Sequence, residues 1–354
     1  MRRGLMSWSH PEMPPERLQA RVSEVQAWMA EHGVSALLAH TSIAQPSVVH
    51  WLTHFTPYWS EAMMVVWPTG APTLLASLTK RVHPWMREVG LMGELIMAPR
   101  LGQQTAQHLL GRLSPSARVG MVGLNDLPWS VAQPLQQHAP GLQWIDASDG
   151  FAALRRASDA AELGLLAQAS TKAQMALQAA PTSASLAAQT TAAIEHHARL
   201  AGAEEVMLRI APNLSKPSAW LRVDGAMPLA PRYAVELSLA YKGAWVRWVR
   251  NFSADAPPAD WSQAQAWWLQ HMATPAQNAH QMAAPAVGTL QHGRIELCQG
   301  GLPLTPVMDT HTNPLPLPQG VRWGVTSAQL RLPSGDWFAA QPVQWAHGGG
   351  AAPV

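Results

Sequence analysis

The segment YAVELSLAYKGAWVRWVRNF, residues 233–252, constrains this chain more than any other. Two runs rich in β-branched and aromatic residues flank Lys242-Gly243, and glycine accepts the positive φ that a tight hairpin turn demands. The pattern predicts two antiparallel strands, so the second half of the chain must build a sheet. VMLRIAPN, just upstream, reads as a further strand, and short strands dominate from Glu204 onward. Within 256–285 the stretch WSQAQAWWLQHMA predicts one more helix, followed by proline-rich strand and loop. The terminal HGGGAAPV is expected to be disordered.

The first half has a different texture. Arg17 to His32 predicts a helix, because Leu18, Val22, Val25, Trp28 and Met29 recur at spacings of three and four and Gly33 supplies the stop. VSALLAH (34–40) has strand length, and EAMMVVWPTGAPTLLAS (61–77) reads as two strands around a Pro-Thr-Gly turn. Further strands are expected near 94–97, 118–123 and 143–147, with helices near 103–113 and 131–138. Such alternation predicts an α/β domain with a mixed sheet. Leu154–Ala180 and Ser185–Ala201 then predict two alanine-rich helices, interrupted by Pro181, that open a second, α+β domain. The expected organisation is one domain over 1–150, a second over 151–346 and a disordered tail over 347–354.

Composition narrows the function. A chain of 354 residues is long enough for two cores. With 24 basic and 22 acidic residues and no long basic run, nucleic acid is a poor partner. No apolar stretch of about 18 residues occurs, which argues against a membrane span, and a cytoplasmic location is expected. The single cysteine, Cys298, rules out an intrachain disulfide and a cysteine-rich zinc site, and no base lies near it in sequence. Glu195-His196-His197 does not chelate as a cluster, since adjacent helical side chains point about 100° apart. Asp309-x-His311 has strand spacing on one face but lacks a third ligand.

RLQARVSEVQAWMAEHGVSALLAH, LRRASDAAELGLLAQASTKAQMALQAA and LAAQTTAAIEHHARLAGAEEVMLRIAPN, in this order, resemble the pita-bread superfamily of creatinase, prolidase, Xaa-Pro aminopeptidase and methionine aminopeptidase. The first segment is similar to the opening of the creatinase-type amino-terminal domain. The other two are similar to the first helices and first strand of the pita-bread catalytic domain. The resemblance implies two divalent ions, manganese, cobalt or zinc, held by two hairpin aspartates, a histidine and two glutamates near the carboxyl end. It also implies dimers.

This sequence departs from that ligand pattern. The family hairpin motif, Asp-x-Gly, four residues, Gly-Tyr-x-x-Asp-x-Thr-Arg-Thr, meets ELSLAYKGAWVRWVRNF here. Anchored on Gly243 and Arg250, the first aspartate falls on Glu236 and the second on Arg247. A guanidinium has no lone pair for a cation and does not lose its proton. The two carboxy-terminal glutamates fall on Asn313, before Pro314, and on Gly324, after the well-matched Gly320, Val321 and Arg322. The substrate-side histidine falls on Ser218, for which no Ser-His-acid spacing makes a nucleophile. Creatinase itself works without metal, but its proposed base is that same histidine.

Glu236 and Arg247 sit on opposite arms of the hairpin, and an ion pair between them is expected to neutralise a vacated metal site. Trp220, Trp245, Trp248 and Trp323, with Arg250 and Arg322, are candidate cleft residues, as filling for an emptied cavity or as an aromatic floor for a peptide or protein. The expected function is a pseudoenzyme without cofactor that acts as a binding or assembly subunit. Its expected partners are itself, as a homodimer, or an active paralogue, with a peptide as candidate ligand. The alternative is an active C–N hydrolase, either an Xaa-Pro peptidase or a creatinase-like amidinohydrolase.

Overall fold

A computed structural model of the chain describes residues 7–155, 158–181, 184–273, 282, 284–297, 305–309, 322–345 and 352–353. They form two compact units divided after Arg155. The amino-terminal unit begins with α1 (Pro15–Glu31), β1 (Ala36–Thr41), α2 (Ser47–Thr53), β2 (Ala62–Val66), β3 (Thr73–Ala76) and α3 (His83–Val89). It continues through β4 (Leu95–Met97), α4 (Leu101–Leu110), β5 (Arg118–Val122), α5 (Trp129–His138), β6 (Gln143–Asp146) and α6 (Ser148–Leu154). The strands form one mixed sheet in the order β4-β3-β2-β1-β5-β6. β2 pairs antiparallel with β1 and β3, as the turn at 67–72 requires, while β1 and β5 run parallel.

Alternate residues feed two cores, which explains why AMMVV in β2 is apolar throughout. Leu37, Met64, Val66 and Leu74 meet Val22, Val25 and Met29 of α1. Leu38, Met63, Val65 and Leu75 meet Leu101 and Leu109 of α4 and Val131 and Leu135 of α5. Gly33, at φ 62°, ends α1 as anticipated. The short helices α2 and α3 were not legible, since seven residues carry too little periodicity to stand out.

The domain boundary falls later than 150 because α6 sends Phe151 into the amino-terminal core. For the same reason the helix expected over 154–180 does not run unbroken. α6 stops at Leu154, and the next helix starts afresh at Asp159, whose carboxylate accepts the Glu162 backbone N–H at 2.9 Å.

The second unit comprises α7 (Ala160–Gln178), α8 (Ala187–Leu200), β7 (Glu205–Ala211), β8 (Leu221–Arg222), β9 (Arg232–Tyr241), β10 (Ala244–Ser253) and α9 (Ala259–Ala273). Then come β11 (Thr289–Leu297), β12 (Thr305–Asp309), β13 (Arg322–Leu332), β14 (Gly335–Trp345) and β15 (Ala352–Pro353). One sheet has the order β10-β9-β7-β8 and the other β12-β11-β13-β14-β15. Two residues of the tail expected to be disordered therefore pair as a strand, Ala352 with Gln344 and Pro353 with Val343. The sheets are tied together where the Asn251 side-chain amide donates to Phe338 O at 2.6 Å and accepts from Phe338 N–H at 3.1 Å.

The β9–β10 hairpin turns at Lys242 (φ 48°) and Gly243 (φ 80°), the double positive φ of a type I′ turn. A buried carboxylate holds it: Glu204 accepts the Lys242 N–H at 2.7 Å and the Gly243 N–H at 2.6 Å. Glu204→Gln keeps the shape but swaps one charge-assisted acceptor for an amide donor facing an N–H. We expect about 1–2 kcal/mol lower stability in urea unfolding, without change in the denaturant slope.

Side chains alternate across this hairpin. One face packs on the helices, where Tyr233 bonds Thr190 at 3.2 Å and Pro181 O at 3.0 Å. The other face carries Glu236, Ser238 and Arg247, which sets the position of the site.

Candidate functional site

A cavity of about 200 Å³ lies between the two sheets of the second unit. Among the described residues it is walled by Arg209, Glu236 and Arg247 from the first sheet and by Arg294, Ser327 and Gln329 from the second. Trp220, Val249, Phe338 and Ala340 supply apolar surface, and His292 completes one side.

Register explains the charge arrangement. Glu236 on β9 lies directly opposite Arg209 on β7, and the two form a fork: Nε to Oε1 at 2.7 Å and Nη2 to Oε2 at 2.8 Å. The bond to Glu236 raises the Arg209 guanidinium pKa above its already high ordinary value, with burial acting against it. On the other arm Arg247 is opposite Ser238, not Glu236. Its Nε reaches the Ser238 hydroxyl at 3.3 Å and stands 3.8 Å from Glu236 Oε1, while its Nη1 donates to Glu296 Oε2 in a short contact. Arg294 Nη1 flanks Glu296 Oε1 at 3.3 Å. The expected Glu236–Arg247 ion pair is thus part of a five-membered chain, Arg209, Glu236, Arg247, Glu296, Arg294. Both carboxylates are nearly inaccessible, 7% and 3% exposed in their side chains.

Sequence reasoning missed Arg209, Glu296, Arg294 and Gln329. The available signal was that charges are scarce in this chain, so ionisable residues within apolar strands such as VMLRIAPN and HGRIEL merited attention. The β7–β9 register, which alternation along one strand does not give, places Arg209 on the same face as Glu236.

The other candidates are dispersed. Trp220 lines the cavity, with its ring centroid 4.6 Å from that of Phe338 and the Arg209 guanidinium 6.0 Å above it. Trp245 is buried on the Arg247 face of β10, nearer the turn. Trp248 and Arg250 face the helices instead: Trp248 donates to Ser170 Oγ at 3.2 Å, and Arg250 to Leu177 O, in the last turn of α7, at 2.9 Å. One-residue alternation is the reason that neither enters the cleft between the sheets. Trp323 is buried on β13, on the same strand face as Ser327 and Gln329 by alternation. Gly324 pairs with Leu297 and Val343, and the cavity wall begins further along β13 at Ser327.

Ser218 is held by its backbone: its N–H donates to Asp336 Oδ2 at 2.7 Å and its carbonyl accepts from Gln329 Nε2 at 3.2 Å. Asn313 and Cys298 lie outside the described residues, as does the side chain of Arg322. His311 does too, so the Asp309-x-His311 pair is not described. Glu195, His196 and His197 lie on exposed turns of α8, where His197 Nδ1 contacts Ala193 O and Glu195 pairs with Arg199.

Residues 21–157 match the Creatinase/Prolidase N-terminal domain family. The first unit is a creatinase/prolidase amino-terminal domain. The chain also shares its full two-domain fold with solved peptidase structures. For the prolidase from Pyrococcus horikoshii OT3 the TM-score is 0.70 at 13% identity, covering 94% of this chain and 97% of that one. For the X-Pro aminopeptidase from Thermotoga maritima MSB8 it is 0.70 at 12% identity, covering 94% and 96%. The dipeptidase PepE from Mycobacterium ulcerans gives 0.64 at 18% identity and 96% of both chains. No curated protein sequence matches. At such identities the likeness establishes the creatinase-type domain followed by a pita-bread domain, and the chemistry has to be read from the cleft.

Metal-dependent members of this fold class would need a set of carboxylate and imidazole donors here. The described lining offers one carboxylate, Glu236, and three guanidiniums, and Glu236 and the neighbouring Glu296 are each already bonded to arginine. Among the described residues no group of three His, Cys, Asp or Glu side chains is placed to hold an ion. This donor set does not fit a pair of divalent cations, because each guanidinium repels a cation and occupies the oxygens it would need. Among the described residues no helix is long and apolar enough to cross a membrane.

Proposed function

We propose that this prolidase-fold chain is a non-hydrolytic homologue that acts as a binding or assembly subunit, as a homodimer or together with an active paralogue. The observation that carries the reading is the position of Arg247, whose guanidinium bridges Glu236 and Glu296 at the centre of the cleft. A fixed positive charge there takes over the neutralising role of a metal without offering a site for activated water. The loop at Ser218, tied to Asp336 and Gln329 through its backbone, supplies no general base in this reading.

The other reading, an active hydrolase of peptide or amidine C–N bonds, has in its favour the fold shared with peptidases and the two cleft carboxylates. Elemental analysis of the purified full chain after incubation with manganese, cobalt or zinc, combined with light scattering and an Xaa-Pro dipeptide assay, separates the two. The expected result is less than stoichiometric metal, no proline release and a mass above that of one chain. Two metal ions per chain with turnover would overturn the proposal.

A further inference from the structure

We infer that the cavity between the two sheets is a receptor for a small monocarboxylate with an apolar body of about one ring. The inference deepens the reading as a binding subunit and rests on it.

Charge comes first. Among the described residues the three lining guanidiniums, Arg209, Arg247 and Arg294, are met by one lining carboxylate, Glu236, and by Glu296 behind the wall, leaving one positive charge in excess. Glu236 and Glu296 are both engaged by arginine on more than one side, so neither has spare capacity for the surplus. An excess charge at a partly enclosed surface is best met by one anion that enters with it. A dianion would overcompensate, and a cation would be repelled.

Hydrogen bonding gives the second argument. The Arg294 Nε–H is buried and has no hydrogen-bond partner among the described residues, although the same side chain lines the cavity and its Nη1 lies 3.3 Å from Glu296. A buried donor without an acceptor is expensive, and a ligand oxygen beside it removes the penalty. Ser327, on β13, offers a further hydroxyl donor along that wall.

Size and polarity give the third. Trp220 and Phe338 pack against each other at the cavity, and Val249, Ala328, Ala339 and Ala340 continue the apolar surface. An apolar cavity of about 150 Å³ accepts one benzene ring. The present 200 Å³ therefore has room for a ring and a carboxylate, and not for an extended peptide. A free acid and the last residue of a peptide chain share this chemistry, so the test must tell them apart.

The test is calorimetric titration of the full-length protein with phenylacetate, acetyl-glycyl-phenylalanine and the neutral phenylacetamide. We expect phenylacetate to bind one per chain, at least tenfold more tightly than the amide. Raising sodium chloride from ~50 to ~500 mM should weaken the acid but leave the amide unchanged. Arg294→Gln should remove at least tenfold of the phenylacetate affinity, and the salt series tests the same charge without any substitution. Binding of phenylacetate alone assigns a free acid, and equal binding of the acetylated dipeptide assigns a chain terminus. Equal affinity for acid and amide, or no binding by either, overturns the inference. Metal content and Xaa-Pro hydrolysis are measured on the same preparation. Turnover would sink the non-hydrolytic reading, whereas an inert protein that ignores carboxylates sinks this inference alone.

Discussion

Arg247→Met should lower the free energy of unfolding by about 3 kcal/mol, read as a fall in urea midpoint at constant slope. The methionine keeps most of the buried volume, so the loss comes from Glu296, whose side chain is 3% exposed and would retain, among the described residues, only the 3.3 Å approach of Arg294. Removing one member of a buried pair leaves the other charge without compensation, which is why the loss exceeds that of a surface pair several-fold. Adding Glu296→Gln to Arg247→Met should recover more than half of the loss, and a double-mutant cycle measures that coupling. Additive effects of the two substitutions would show that Arg247 and Glu296 do not depend on each other.

Arg247→Asp tests the same centre from the opposite side. It sets a third carboxylate beside Glu236 and Glu296, so the protein should be less stable than wild type in chelator-treated buffer, through like-charge repulsion. Addition of manganese should raise the thermal midpoint of this variant and leave wild type unmoved.

Asp336→Ala should destabilise the chain by about 3–4 kcal/mol in the same assay. Asp336 is fully buried just after Gly335, which opens β14 behind the turn at 333–334 with φ 125°. One carboxylate oxygen accepts from the Ser218 N–H at 2.7 Å and Gln329 Nε2 at 3.2 Å, and the other takes a short bond from Arg331 Nε. Alanine would orphan all of these donors and free the loop that carries Trp220 to the cavity. Asp336→Asn, which keeps one acceptor, should lose about half as much. A loss below about 1 kcal/mol for the alanine variant would show that water satisfies these donors and that the site does not rely on the anchor.

Much of the fold was legible in the order of residues. Periodicity of three and four marks α1, and apolar runs bounded by Gly and Pro mark β1 to β3, because burial on both sheet faces leaves no room for polar residues. Lys242-Gly243 marks the hairpin through glycine's tolerance of positive φ. That the hairpin carries an arginine at position 247 was legible too, and a guanidinium cannot bind a cation whatever surrounds it.

Other features were local in neither sequence nor motif. That Glu236 takes Arg209 as its bidentate partner depends on the β7–β9 register, and residues 209 and 236 are far apart along the chain. That Trp248 and Arg250 face α7 while Arg247 and Val249 face the cavity depends on the same pleat, where a shift of one residue exchanges the faces. Glu296 and Arg294 enter only because a second sheet packs its β11 against the hairpin's polar face. The sequence by itself determined which elements form and that the hairpin carries a fixed cation at Arg247, because propensity, turn chemistry and ionisation are properties of single residues and their neighbours. Only the tertiary structure decided which charges meet, how many remain in excess and what shape of cavity they surround, because register and sheet packing join residues that no local interaction connects.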